Sequence, residues 1–150
     1  MYQAIQHLHS YWAYLVVLVV VIATLNALYS FFTNKEYSYK DFRLSLFALI
    51  VTHLQFLIGL VLYFVSPLGL QSISNNSMGV VMKDSTLRLY AVEHPTVMLL
   101  TAVCITIGYS KHKKKLTSHP KFKMLAIFYT IALVLLRSRI PWASWWENLI

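Results

Sequence analysis

The chain has 150 residues, 58% of them hydrophobic and only 12% charged, with a formal net charge of +8. So few charges and so much apolar surface exclude an ordinary soluble domain, and the length allows one compact domain. The positive charge does not mark a nucleic-acid partner, because the basic residues sit beside apolar runs, the pattern of membrane topology.

The N-terminal MYQAIQHLHSY lacks the basic region of a cleavable signal peptide, and the apolar run after it is long enough to span. The first predicted span covers residues 11–32. Its β-branched run VVLVVVIATL would be unusual in a soluble helix, but in lipid the backbone must satisfy itself and helix wins. His9 stands at the start of this helix and His7 outside it. The second span, 44–65, reads LSLFALIVTHLQFLIGLVLYFV, with no charge and with His53 near its centre; Pro67 closes it. The following loop, SPLGLQSISNNSMGVVMKDST, is rich in Ser, Asn and Gly and is expected to lie on the membrane surface or cap the bundle.

The third span, 89–109, is expected to be N-capped by Ser85 or Thr86. Pro95 falls in its early part, where a missing N–H costs least, and His94 directly follows Glu93. Cys104, the single cysteine, lies inside this apolar run and allows no intrachain disulfide. The fourth span, 122–140, is purely apolar only over 124–136. Either it starts earlier, with Lys121 and Lys123 snorkelling, or Arg137 and Arg139 sit just inside the interface. Trp142, Trp145 and Trp146 then predict an interfacial anchor on an amphipathic tail.

These elements predict an all-α fold, an integral-membrane four-helix bundle in one domain. The first and third connections hold nine basic residues, against four (Lys83, Arg88, Arg137 and Arg139) elsewhere. That bias places those connections in the cytoplasm and both termini in the periplasm, across a bacterial cytoplasmic membrane. His112 and His119 belong to the basic third connection and are expected to be solvated.

Imidazole in hydrocarbon is costly, so an intramembrane histidine is read first as a functional site. His53 and His94 on neighbouring helices predict the two axial ligands of one b-type haem, with His9 as substitute ligand. Leu46, Leu49, Ile50, His53, Phe56, Leu57 and Leu60 share one helix face, expected to form an apolar wall of the haem site. Arg88, Arg137 and Arg139 arrive at the outer helix ends and are candidates to bind the propionates bidentately. Other readings stay open. His53 bonded to Asn26 or to a backbone carbonyl would only hold helices together, and Gln55, facing away from it, reads the same way. Glu93 is a cap, a proton site or a group that orients His94. His53, His94 and Glu93 are also a candidate set for a transition-metal ion, although no HExxH, CxxC or EF-hand spacing is present.

LHSYW, RLSLFALIVTHLQFLIGLVLYFVSP, EHPTVMLLTAVCITIGYSK and the closing IPW together resemble small four-span membrane proteins of Bacteroidota labelled "cytochrome B". The resemblance covers nearly the whole chain, including His9, His53 and His94, and implies a b-type haem. One histidine in each of the second and third spans does not suit two bis-histidine haems. The function expected is electron transfer through one haem near the periplasmic side, between the quinone pool and a redox partner. The alternative is an accessory subunit of a larger membrane complex or a homo-oligomer, with its histidines as helix contacts.

Overall fold

The computed structural model describes residues 1–147, with the side chains of Trp146 and Glu147 outside the description. Its elements are α1 (Tyr2–Phe32), α2 (Tyr39–Val65), α3 (Leu70–Asn75), α4 (Met78–Lys83), α5 (Ser85–Arg88), a π-helical turn (Leu89–Glu93), α6 (His94–Lys113), α7 (Ser118–Ser138) and α8 (Trp142–Glu147). There is no strand among the described residues. Four helical stretches are long and apolar enough to cross a membrane: Tyr2–Phe32, Tyr39–Asn75, Ser85–Lys113 and Ser118–Ser138.

The helices end where local chemistry stops them. Past α1, Asn34 takes the left-handed conformation (φ 52°), which its short polar side chain tolerates. Ser38 and Asp41 form a capping box at the start of α2, and Asp41 also accepts from Asn26 (2.9 Å) and pairs with Lys35 (3.0 Å). Those partners let a carboxylate sit almost wholly buried. The cap of the third span is Asp84, not Ser85 or Thr86: its carboxylate accepts from the Thr86 and Leu87 N–H groups. α7 begins at Ser118, so Lys121 and Lys123 lie on the helix, as the first of the two readings of that span requires.

The four long helices form a ring in which α1 packs on α2 and α7, and α6 packs on α2 and α7. Thus α1 faces α6 across one diagonal and α2 faces α7 across the other. Small residues line the interior, among them Ala23, Ala27, Ala48, Ala126 and Ala132, and these let backbones approach closely. Gly108 serves the α6–α7 contact, since a Cβ there would lie 2.7 Å from Phe128 Cβ. Polar bonds tie the core: Tyr129 donates to the Ser45 carbonyl (2.8 Å), Thr24 to the Tyr129 carbonyl (3.3 Å), and Trp12 to the Val51 carbonyl (3.1 Å). Tyr129 therefore joins the α2–α7 diagonal at the end that holds the basic connections.

His112 is not solvated. It is fully buried in the last turn of α6 among Tyr37, Phe42 and Tyr109, and its Nε2 lies 2.8 Å from the Tyr37 hydroxyl. The basic run continues α6 as helix, and its fourfold spacing after Gly108 turns His112 inward. Burial pushes Tyr37 up to about 12, which keeps its hydroxyl protonated. His119 is exposed and stacks on Phe31.

Candidate functional site

The first helix runs nine residues further out than the predicted start at residue 11, because Gln3, Gln6 and Ser10 are compatible with continued helix. His9 is therefore set on α1 and held by the bundle rather than lying above it. Across the α1–α6 diagonal stands His94. The two imidazole centroids are 6.1 Å apart and their planes are 79° from parallel. Both rings line a cavity of about 420 Å³ at the end of the bundle that carries the N-terminus. A volume of this size lies in the range of small-molecule and cofactor sites, ~300–1,000 Å³. Its walls are chiefly apolar, from Val16, Phe56, Leu60, Met98, Leu99 and Leu136.

Each ring is positioned by a different device. His94 donates from Nδ1 to the Arg139 carbonyl at 2.7 Å. A carbonyl only accepts, so Nδ1 carries the proton and Nε2 of the neutral ring keeps its lone pair. His9 lies against Gly59, where a Cβ would come within 2.9 Å of its Cε1; only glycine leaves room for the ring. Gln55 Nε2 donates to the His9 carbonyl at 2.9 Å and lies 3.5 Å from His9 Nε2. Gln55 is helix glue, as expected, and at the same time it is part of the His9–His94 site. His9 Nδ1, Gln55 Oε1 and Thr52 Oγ1 are buried against the same cavity without hydrogen-bond partners. Orphaned polar atoms clustered at one cavity mark a place for a ligand.

His94 owes its position to an irregular helix start. The His94 N–H reaches back five residues to the Leu89 carbonyl, which makes the turn π-helical. Pro95 has no N–H for the Ala91 carbonyl, and the Tyr63 hydroxyl donates to that carbonyl instead at 3.1 Å. Single π-turns inside helices are frequent at functional sites. Glu93 bridges two arginines, Arg88 (2.9 Å) and Arg139 (3.1 Å), and Arg139 is the residue whose carbonyl His94 bonds. None of Arg88, Arg137 and Arg139 lines the cavity; Arg88 and Arg139 are engaged by Glu93, and Arg137 is exposed. In the tail, Trp145 packs on Tyr14 (4.5 Å between centroids) and lines the cavity, whereas Trp142 is exposed. The Trp146 side chain lies outside the described residues.

His53 and His94 are not brought together. His53 sits on the opposite side of α2, in a shallow lipid-side groove with Leu49, Leu54, Leu57 and Thr106. Thr106 follows His94 by twelve residues on α6, or ~18 Å along the helix. Both nitrogens of His53 are used: Nδ1 donates to the Leu49 carbonyl (2.8 Å), and Nε2 is 3.1 Å from the Thr106 hydroxyl. It joins α2 to α6. The face expected to wall a haem is largely the lipid face, with Ile50 45% and Leu57 56% exposed. In lipid the apolar surface turns outward and the small and polar residues turn in. The inward stripe is Thr52, Gln55, Gly59 and Tyr63, at helical spacings of three, four and four, and it was readable in the sequence on that criterion. The metal set His53, His94 and Glu93 also fails to assemble: among the described residues no group of three or more His, Cys, Asp or Glu side chains is placed to hold an ion.

A bis-histidine haem needs two imidazoles on opposite sides of one iron and an apolar slot for the macrocycle. Two rings each bonded to a metal at ~2 Å have centroids ~6 Å apart, which the His9–His94 separation satisfies. The orphaned His9 nitrogen and the free lone pair of His94 satisfy the donor requirement. The histidine pair fits the iron, while among the described residues no lysine or arginine lines the cavity to take the propionates. In comparisons with protein families, curated proteins and solved structures, the chain matches none.

Proposed function

We propose that this protein is a membrane electron-transfer protein holding one b-type haem between His9 and His94. The observation that carries the reading is the pair of imidazoles facing across the α1–α6 diagonal at 6.1 Å inside a largely apolar cavity. A haem with two histidine ligands supplies a low-spin one-electron couple suited to electron transfer rather than to oxygen chemistry. The chain's own residues do the rest. Arg139 holds the His94 ring, Gln55 holds the His9 backbone, Gly59 leaves space for the His9 ring, and apolar side chains with Trp145 supply the walls. The resemblance to small "cytochrome B" proteins points the same way.

The basic connections lie at the opposite end from the cavity, and the positive-inside rule then puts the site on the periplasmic side of a bacterial cytoplasmic membrane. There it would exchange electrons with the quinone pool or a redox partner. Leu60 and Leu99 line the cavity and are also about half exposed on the lipid-facing surface, which favours a partner reached through the bilayer.

The test is an optical spectrum of the detergent-purified protein, oxidised and then reduced, with haem extracted and counted. A sharp reduced α-band with stoichiometric haem is expected. His9→Ala and His94→Ala should each abolish or broaden it, and His53→Ala should leave it unaltered. A colourless wild-type protein made with haem in supply would overturn the reading and favour an accessory subunit whose histidines only join helices, the part His53 already plays here.

A further inference from the structure

Glu93 and His94 are adjacent in sequence, and both hold the same residue. Glu93 Oε2 takes the Arg139 side chain (Nε at 3.1 Å), and His94 Nδ1 donates to the Arg139 carbonyl (2.7 Å). The other oxygen of Glu93 takes Arg88 Nε at 2.9 Å, and Arg88 in turn donates to the Met82 carbonyl at 2.8 Å. Arg139 is the C-cap of α7, a residue whose carbonyl has no helical partner of its own and accepts from His94 instead. Arg139 Nη1 also donates to the Ser138 carbonyl at 2.9 Å and the next residue, Ile140, is buried, so the Glu93 grip acts together with the local backbone on that carbonyl.

We infer that Glu93 is the positioning residue of the His94 ligand: by anchoring the Arg139 side chain it fixes the carbonyl that sets the tautomer and plane of the His94 imidazole. The inference rests on the haem reading for its redox consequence, but the clamp itself is a property of the chain. A ligand histidine held through its second nitrogen is a better electron donor and is oriented in advance, and partners of this kind matter to metal affinity by about 10–100-fold. The negative charge of Glu93 also offsets two guanidinium groups beside the site. Removing it strips the clamp and uncovers positive charge, and both effects favour the reduced form.

The experiment uses the full-length protein in detergent. In haem-free protein labelled with ¹⁵N-histidine, His94 of the wild type should show one tautomer, with the proton on Nδ1. In Glu93→Gln the same signal should become a mixture of tautomers. In haem-loaded protein, Glu93→Gln should lose haem to an acceptor apoprotein about tenfold faster, and its midpoint potential should move upward. Glu93→Asp, which keeps the carboxylate, should restore much of both. If Glu93→Gln does not fold, Arg139→Gln cuts the same arm from the other side and should give the same mixed tautomer signal. An unchanged tautomer together with an unchanged rate of haem loss would overturn the clamp. A wild type that binds no haem would overturn the electron-transfer reading alone, and the histidine signal would still decide the clamp.

Discussion

At the scale of the residue, the site depends on what is absent as much as on what is present. Gly59 is the floor on which the His9 ring rests. Gly59→Ala should push that ring off its position and weaken haem retention by about tenfold, measured by haem transfer to an acceptor, with the helical fold intact by circular dichroism. Tyr63 matters for a different reason. Its hydroxyl supplies the Ala91 carbonyl with the donor that Pro95 lacks. Tyr63→Phe should cost about 0.6 kcal/mol, and no more than ~1.7, in unfolding from detergent, the range of single hydrogen bonds inside membranes. The larger effect should fall on the π-turn, read as faster amide exchange over residues 89–95.

At the scale of the element, the α6–α7 contact is set by Gly108, which leaves no room for a larger residue against Phe128 and Tyr129. Gly108→Val should part these helices and lower the midpoint of thermal unfolding by several degrees, the effect of overpacking by ~1–3 kcal/mol in a protein of this size. The four long helices were legible in the sequence, because apolar length and flanking charge report them directly. Which face of each helix turns inward was not legible from apolar spacing alone. His53 sits among leucines and isoleucines that look like a core, and in lipid that pattern marks the outside. Thr52 and Gln55 carried the correct answer on the same helix. His112 was misread for a related reason: the lysines around it belong to the membrane interface, while helical spacing from Gly108 turns its ring into the bundle.

At the scale of the whole molecule, the two ends do different work. One end holds the basic connections and a hydrogen-bonded knot around Asp41, Tyr37 and His112. The other holds the cavity, the short helices α3 to α5 and the tail helix α8. On the proposed orientation, drawn from the charge bias, the first end faces the cytoplasm. In a variant with Cys104 replaced, a cysteine at Asn75 should react with a membrane-impermeant maleimide in intact cells, and one at Leu116 only after permeabilisation. The reverse pattern would place the cavity on the cytoplasmic side and change the identity of its partners without changing its chemistry.

The His9–His94 pair also has a consequence for how the protein is made. His9 enters the membrane with the first helix to be synthesised, and His94 arrives only with the third long one, after the whole of α2 and the outer loop. The Arg139 carbonyl that aims His94 comes later still, at the end of the fourth. Until then the cavity lacks its Leu136, Ile140 and Trp145 wall, and His9 stands in it without its partner set in place. A chain cut after α6 would carry both histidines and still lack the Arg139 carbonyl that holds the second one, so the pair is completed only with the fourth long helix.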